Sequence, residues 1–249
     1  MKRAIFSVLF FSLITILYSQ TSKKTGISRA HLQEFQKNLI INGETGGNVI
    51  VVSKNGEVVY KHIENSNKIG DKTITDQTLF PIWSMTKPIT TVAALILKEK
   101  NLLDFDDLVS KYIPIFKNLM CKSKEGIVPC KNEIKIIDLI THLSGLSYYK
   151  DFMLDGMRAK SLEDLMHDIA EHPLEFEPGE SYFYGLGHDV LGRVIEVVSG
   201  VSFQAFMQTY IFEPLEMNHT KFFLTPKEKE LMLPLFVRNE KIEGFNETG

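Results

Sequence analysis

A serine and a lysine three residues apart stand where a loop enters an apolar helix. Ser84 and Lys87 belong to the segment 80–87 (FPIWSMTK), and an apolar segment, 88–97, follows. Residues three apart share one face of a helix, so the lysine is predicted to lie beneath the serine. A neutral, partly desolvated lysine can take the serine proton, and N–H groups at the helix N-terminus can stabilise an oxyanion. The pattern predicts an activated nucleophile; the alternative is a capping serine beside a solvated lysine.

The balance of charges argues against nucleic acid as a partner. The chain has 249 residues and a formal net charge of -3, without a basic excess. Its seven histidines are scattered, without the paired spacing of a metal site. We expect no nucleic-acid partner, no metal and no organic cofactor. The length allows one large domain, or two intertwined ones, with a real core.

The segment 1–20 predicts a signal peptide. Lys2 and Arg3 form a positive start, and the apolar stretch 4–18 is short for a membrane span. We therefore predict export to the periplasm or secretion, with a mature domain at 21–249 and no membrane span after cleavage. An uncleaved N-terminal anchor is the alternative. In an oxidising compartment Cys121 and Cys130 can form a disulfide; two reduced loop thiols are the alternative.

Local patterns predict several helices and a few strands. Ser28 can cap a helix that ends near Ile40, and the helix after Ser84 is expected to end near Asn101. Two β-rich segments are joined through Asn55-Gly56, a pair that favours a tight hairpin turn. The predicted strands are 48–53, 57–63 and 235–238, and the further predicted helices are 134–142, 161–171, 188–199 and 202–212.

Five segments occur in the order that is typical of a known family. They are 84–87 (SMTK), 137–146 (IDLITHLSGL), 176–179 (FEPG) with Tyr184, 189–196 (DVLGRVIE) and 214–222 (PLEMNHTKF). From about residue 27 to 223 the chain resembles the β-lactamase-related serine hydrolases. This group includes class C β-lactamases, D-alanyl-D-alanine carboxypeptidases and related esterases. Ordered motifs of this kind are far more specific than the serine–lysine tetrad alone.

The resemblance implies an α+β fold of the β-lactamase and penicillin-binding-protein type. It consists of an antiparallel sheet flanked by helices, with a helical subdomain at about 103–175. In this family the N-terminal hairpin pairs with C-terminal strands. Only the segment 48–63 is clearly stranded here, so we expect an incomplete sheet. The chain would correspond to about the first two-thirds of a complete enzyme.

The resemblance also implies three catalytic residues. Ser84 would be the acylated nucleophile, and Lys87 would accept its proton. Tyr184 would take the tyrosine position of the family's Y-x-N motif and share proton transfer to the leaving group. A tyrosine pKa is ordinarily about 10, but a lysine ammonium nearby could lower it. The alternative for Tyr184 is a core or rim aromatic residue, and His142 and His188 are expected to be structural rather than members of a triad.

Two departures from the family pattern bear on activity. Leu186 stands where the Y-x-N motif has asparagine, so the amide that would bind a substrate carbonyl is missing. The family's third motif, Lys-Thr-Gly or an equivalent on a late strand, has no match after Tyr184. Residues 24–26 (KTG) are in the wrong order, and 247–249 (ETG) are not expected to lie in a strand.

We therefore expect an exported serine hydrolase that acts through a Ser84 acyl-enzyme. Its substrate would be an ester, amide or β-lactam carbonyl in a small molecule or short peptide. An esterase or peptidase is favoured over an efficient β-lactamase because Leu186 replaces the amide. The alternative is a truncated, non-catalytic relative that only binds peptide or cell-wall-like ligands. The sequence leaves the oligomeric state open.

Overall fold

The computed structural model describes residues 28–149, 160–239, 241 and 244–248. The predicted signal peptide therefore lies outside the described residues. The chain divides into two compact units, one formed by Met1–Phe80 with Leu231–Gly249 and the other by Pro81–Glu230. The boundaries of the predicted mature domain and of its helical subdomain remain predictions.

The first unit begins with the predicted helix and hairpin. Helix α1 spans Arg29–Ile41, and the Ser28 hydroxyl accepts a hydrogen bond from the His31 N–H, as a capping residue does. Strands β1 (Asn48–Lys54) and β2 (Glu57–Glu64) pair antiparallel. Asn55 and Gly56 in the turn have φ of 53° and 80°, the left-handed conformation that tight hairpin turns require. These predictions are confirmed.

A second hairpin in this unit corrects one prediction. Strand β5 spans Leu235–Asn239, in agreement with the predicted strand, and β6 spans Gly244–Thr248. Leu235 lies opposite Thr248, so residues 247 and 248 do lie in a strand. The expectation was wrong because β6 is held by its pairing with β5, and the mostly polar sequence of β6 does not by itself indicate a strand. Residue 249 lies outside the described residues.

The core of the second unit lies between two helices. Helix α2 (Thr86–Glu99) buries Ala93, Ala94 and Leu97. Helix α5 (Gly187–Ser199) presents a fully buried face made of Val190, Leu191, Val194 and Ile195. In both helices the buried residues recur at the spacing of one helical face, which is what an amphipathic core helix requires. The core thereby fixes α2 against α5 within this unit.

The remaining elements of this unit surround that core. Single 3₁₀ turns span Val109–Lys111 and Pro114–Asn118. Strands β3 (Met120–Ser123) and β4 (Gly126–Pro129) form an antiparallel hairpin that the sequence did not predict. Further helices are α3 (Ile136–Thr141), α4 (Leu162–Ala170) and α6 (Phe203–Met207). Helix α6 continues as a π-helical turn over Gln208–Phe212. Helix α7 (Pro226–Leu231) lies at the end of this unit.

The β3–β4 hairpin is closed by the disulfide between Cys121 and Cys130. Of the two alternatives for these cysteines, the structure therefore has the disulfide. The hairpin is also tied to the chain before α5, because Leu174 donates its N–H to Met120 O at 2.7 Å and accepts from Lys122 N at 2.8 Å.

In the described part of the chain each of the three sheets has two strands. The mixture of helices and small antiparallel sheets is α+β, as predicted. No single described helix is both long and apolar enough to cross a membrane. The helical segments Gly187–Ser199 and Phe203–Phe212 reach the required length and apolar character only in combination, and they are bent by 80° relative to each other.

Candidate active site

Ser84 lies in a 3₁₀ turn, Trp83–Met85, that leads directly into α2. Trp83 has φ 46°, a left-handed conformation that is strained for a bulky residue. Lys87 lies in the first turn of α2, on the same side as Ser84. The Ser84 hydroxyl contacts the side chains of Lys87 and Tyr184. The turn and α2 have no side-chain cap, so Ser84 is not a capping serine.

Tyr184 is brought to Ser84 by two loops that run side by side. Phe183 N donates to His142 O at 2.9 Å, which ties the loop before α5 to the end of α3. A Cβ on Gly185 would lie 2.0 Å from Leu146 O, so only glycine allows the backbones to approach this closely. The Tyr184 hydroxyl thereby lies 2.5 Å from Ser84 Oγ. Either hydroxyl can supply the proton of this hydrogen bond.

Lys87 lies among three hydroxyl groups. Its Nζ donates to Ser84 Oγ at 3.4 Å and to Tyr148 Oη at 3.2 Å. The same Nζ lies 4.8 Å from the centroid of the Tyr184 ring, within cation–π range. The structure therefore brings together all three sequence-predicted residues and adds Tyr148, which the sequence analysis missed. Its one sequence signal is its position two residues after the 137–146 motif.

The electrostatic balance favours a proton on Lys87 in the resting site. Burial alone would lower the pKa of Lys87, but hydrogen bonds and attraction from Tyr184 and Tyr148 together raise that pKa.. The pKa of Tyr184 is lowered by the hydrogen bond with Ser84 and then by Lys87. Burial raises the pKa of Tyr148. The shifts therefore favour a charged Lys87 and make Tyr184 easier to ionise than a free tyrosine, whereas the sequence had indicated a neutral lysine.

Two histidines lie beneath Tyr184. The His142 ring is 4.6 Å from the Tyr184 ring and 5.1 Å from the His188 ring, centroid to centroid. The Nε2 atom of His188 lies 3.3 Å from Thr91 Oγ1. Burial and the positive charge of Lys87 lower the pKa of His142, while burial, His142 and Lys87 lower that of His188 to about 4. Both rings are therefore neutral near pH 7.

The structural role expected for these histidines stays a prediction. No hydrogen bond joins either ring to Ser84 within the described residues, and the buried Nδ1 atoms of both rings have no hydrogen-bond partner there. His142 also ends α3 in a left-handed conformation with φ 60°. Leu186, which replaces the family's asparagine, is buried in the core with 3% of its surface exposed. It therefore does not present a polar group to a substrate.

A cavity of about 580 Å³ adjoins the site within the same unit. Lys87 and Trp83 line it, so the cavity and the Ser84 site share two residues. In the described ranges one group of His, Cys, Asp or Glu side chains is close enough to share a metal ion, and it comprises Cys121, Cys130 and Glu177. Because a disulfide offers no thiolate, this group is not suited to bind a metal.

The fold and the arrangement of Ser84, Lys87 and Tyr184 agree with one family of proteins. The chain belongs to the β-lactamase family, since the family model described as Beta-lactamase matches residues 29–231. The resemblance drawn from the motifs is therefore confirmed.

The relatives include an esterase and a putative peptidase. Esterase EstB of Burkholderia gladioli is 29% identical over 199 residues, which are 74% of this chain and 48% of the esterase. A putative D-alanyl-D-alanine carboxypeptidase of Salmonella heidelberg (strain SL476) is 29% identical over 199 residues, which are 75% of this chain and 45% of that protein. The chain spans about half the length of these curated relatives.

Solved structures show the same fold. EstCE1, described as a hydrolase with promiscuous acyltransferase activity, is 25% identical, with a TM-score of 0.74 over 87% of this chain and 58% of its own. The octameric penicillin-binding protein homologue from Pyrococcus abyssi is 23% identical, with a TM-score of 0.67 over 89% of this chain and 50% of its own. The predicted fold class is thereby confirmed.

Proposed function

We propose that this chain is an exported serine hydrolase whose Ser84 forms an acyl-enzyme. The observation that supports this most strongly is the 2.5 Å contact between Tyr184 Oη and Ser84 Oγ, with Lys87 Nζ 3.4 Å from the same oxygen. A weak nucleophile needs an adjacent base that is held in place by a third group, and this arrangement supplies both.

In the first step Ser84 Oγ attacks the substrate carbonyl carbon, and its proton passes to the Tyr184 phenolate. The Lys87 ammonium stabilises that phenolate before the step. The positive end of the α2 dipole, next to Ser84, would stabilise negative charge that develops on the carbonyl oxygen. When the tetrahedral adduct collapses, Tyr184 returns the proton to the leaving oxygen or nitrogen.

In the second step water releases the acid. A water molecule attacks the acyl carbon while Tyr184 again accepts a proton, and Ser84 recovers its proton as it leaves. In both steps Tyr184 thus accepts a proton as the nucleophile attacks and donates a proton as the leaving group departs, which is general acid–base catalysis. No step needs a metal or an organic cofactor.

An ester or a short peptide is favoured as the substrate over a β-lactam. Leu186 is buried in the core, so the amide that would bind a β-lactam carbonyl is replaced by an apolar side chain. The names of two relatives, an esterase and a putative D-alanyl-D-alanine carboxypeptidase, are in line with an ester or peptide substrate. A small molecule or short peptide is the proposed partner, with no nucleic acid.

The Cys121–Cys130 disulfide supports the proposed localisation in the periplasm or outside the cell. Structural disulfides persist in oxidising compartments and are rare in the cytosol. The proposal includes cleavage of the segment 1–20 as a signal peptide, with an uncleaved anchor as the alternative.

The second candidate function is a non-catalytic relative that only binds peptide or cell-wall-like ligands. Two observations favour it: the chain spans about half the length of its curated relatives, and its sequence has no match to the family's third motif after Tyr184. The close contacts of Ser84 with Tyr184 and Lys87 favour the catalytic function, because a binding protein has no use for an activated serine.

The test is the intact mass of the mature chain after incubation with a fluorophosphonate probe, beside Ser84→Ala. We expect one adduct, lost in the variant. A cooperatively folded chain without an adduct would mean an inactive or binding-only relative. A chain that fails to fold and forms no adduct would show that the missing half of the relatives is needed for the active site.

A further inference from the structure

The cavity beside Ser84 has aromatic walls. Trp83, Phe203, Phe222 and Phe223 line it, together with Leu162. Trp83 has 66% and Phe223 76% of its surface exposed, so both offer ring surface to a ligand. Phe222 is fixed by Phe203, whose ring centroid lies 5.4 Å away in an edge-to-face arrangement. Aromatic faces attract cations through the negative charge of their π-systems.

The same cavity contains a carboxylate without a fixed partner. Asp189, in the first turn of α5, lines the cavity and is partly buried. Beyond its own backbone N–H, its side chain has no hydrogen bond or ion pair to any residue in the described part of the chain. Burial raises the pKa of this carboxyl, and attraction to Lys87 opposes that effect. Because Asp189 lines the cavity and has lost part of its hydration, a cation beside it would compensate the charge of the carboxylate.

The other charged groups around the cavity do not cancel this preference. Glu196 is engaged elsewhere, since it pairs with Arg193 at 3.1 Å and accepts from Phe203 N at 2.9 Å. The Lys87 ammonium is directed at Ser84 and Tyr148. Lys160 is exposed, so solvent and salt screen its charge. Of the two acidic side chains that line the cavity, Asp189 is the one without an ion pair in the described part of the chain, so it is the carboxylate that is left to meet a ligand.

We propose that this cavity binds a cationic amine carried by the acyl part of the substrate, with Asp189 as its counter-charge and Trp83 and Phe223 as aromatic walls. The inference rests on the proposed function, because the acyl group must reach Ser84 while its amine lies in the cavity. It assigns a substrate class, namely esters or amides of amino acids or of quaternary-ammonium acids.

Binding can be measured without turnover in the Ser84→Ala variant. Trp83 is the only tryptophan in the chain, so its fluorescence reports on the cavity. The probes are the amide of γ-trimethylammonio-butyric acid and its uncharged isostere, in which a tert-butyl group replaces the trimethylammonium group. The quaternary amine does not titrate, so its charge is constant with pH.

We expect the cation to bind about tenfold more tightly than the isostere, as one charge pair with cation–π contact allows. Asp189→Asn should abolish this preference, while Asp106→Asn, a matched change at an exposed aspartate, should leave it intact. Phe223→Leu should reduce it severalfold, and this variant tests the aromatic wall independently of Asp189. Equal binding of the two probes, no binding of either, or a preference that survives Asp189→Asn would overturn the proposal.

The fluorophosphonate experiment separates this proposal from the proposed function. A chain that forms the Ser84 adduct but shows no preference for the cation loses only the assignment of the cavity. A chain that prefers the cation but forms no adduct retains the cavity and loses the acyl-enzyme. In a catalytic chain, the ratio of kcat/KM for the p-nitrophenyl esters of the two acids should fall about tenfold in Asp189→Asn.

Discussion

Tyr184 lies closer to the nucleophile than Lys87 does: its hydroxyl is 2.5 Å from Ser84 Oγ, whereas Lys87 Nζ is 3.4 Å away. The local S-x-x-K spacing had suggested that the lysine takes the proton. The shorter contact and the lowered pKa of Tyr184 support the proposal that the tyrosine takes the proton and that the lysine stabilises its anion.

Removal of the Tyr184 hydroxyl should therefore abolish most of the activity. We expect Tyr184→Phe to lower kcat/KM for an activated ester by about 10²–10⁴-fold, the usual contribution of a general base. The side chain is 39% exposed, so the free energy of unfolding should change by less than about 1 kcal/mol. Tyr182→Phe, at a neighbouring exposed tyrosine, is the control and should retain full activity. Equal losses in the two variants would contradict the role of Tyr184.

The charge of Lys87 should set the pH dependence. The ammonium lowers the pKa of Tyr184, so the phenolate forms at lower pH than in an isolated tyrosine. In Lys87→Met this attraction is lost, and the rising limb of kcat/KM against pH should move to higher pH. The tyrosinate absorbance of Tyr184, obtained by subtracting Tyr184→Phe, should move in the same direction. A limb that keeps its position would show that Lys87 does not act through Tyr184.

His188 should make the fold sensitive to acid. Its pKa is lowered to about 4 in the folded chain, while an unfolded histidine has a pKa near 6.5. Between these values the unfolded state binds more protons, so stability falls as the pH is lowered from about 6.5 to about 4. The loss between pH 7 and pH 4 is on the order of 3 kcal/mol. Urea unfolding from pH 7 to pH 4 measures it, and His188→Gln should show a shallower pH dependence; an unchanged slope would contradict this origin.

The disulfide should stabilise the second unit. It joins residues nine apart in sequence, and Cys121 is fully buried. A loop of this length is worth about 2–3 kcal/mol of unfolding free energy. We expect reduction, or Cys121→Ala with Cys130→Ala, to lower Tm by several degrees, and the double variant to be insensitive to reductant. A reduced chain with the Tm of the oxidised one would contradict this.

The sequence predicted the parts of the site and fold that depend on local pattern. Ser84 and Lys87 are one helical turn apart, and Asn55-Gly56 determines a turn by its own conformational preference. Tyr184 was predicted from the family resemblance, because it stands at the position of the tyrosine of the Y-x-N motif after the Pro178-Gly179 turn. These predictions need no knowledge of contacts between distant segments.

What the sequence did not predict depends on such contacts. Tyr148 reaches Lys87 across 61 residues, and nothing in its neighbourhood distinguishes it from an ordinary aromatic residue. The strands β3 and β4 have four residues each, too few for a recognisable alternating pattern. The hydrogen bonds of β3 with Leu174 and the Cys121–Cys130 disulfide hold this hairpin in place. Strand β6 is polar and exists by pairing with β5. The protonation of Lys87 likewise depends on two tyrosines that only the fold brings near.

The contact between Ser84 and Tyr184 joins residues 100 apart in the chain. A chain in which the loops around Gly185 and Leu146 have not yet met carries a serine of ordinary, feeble reactivity. In the proposed acyl-enzyme function, folding is therefore the step that activates Ser84, and the same serine in an unfolded chain stays as unreactive as an ordinary hydroxyl.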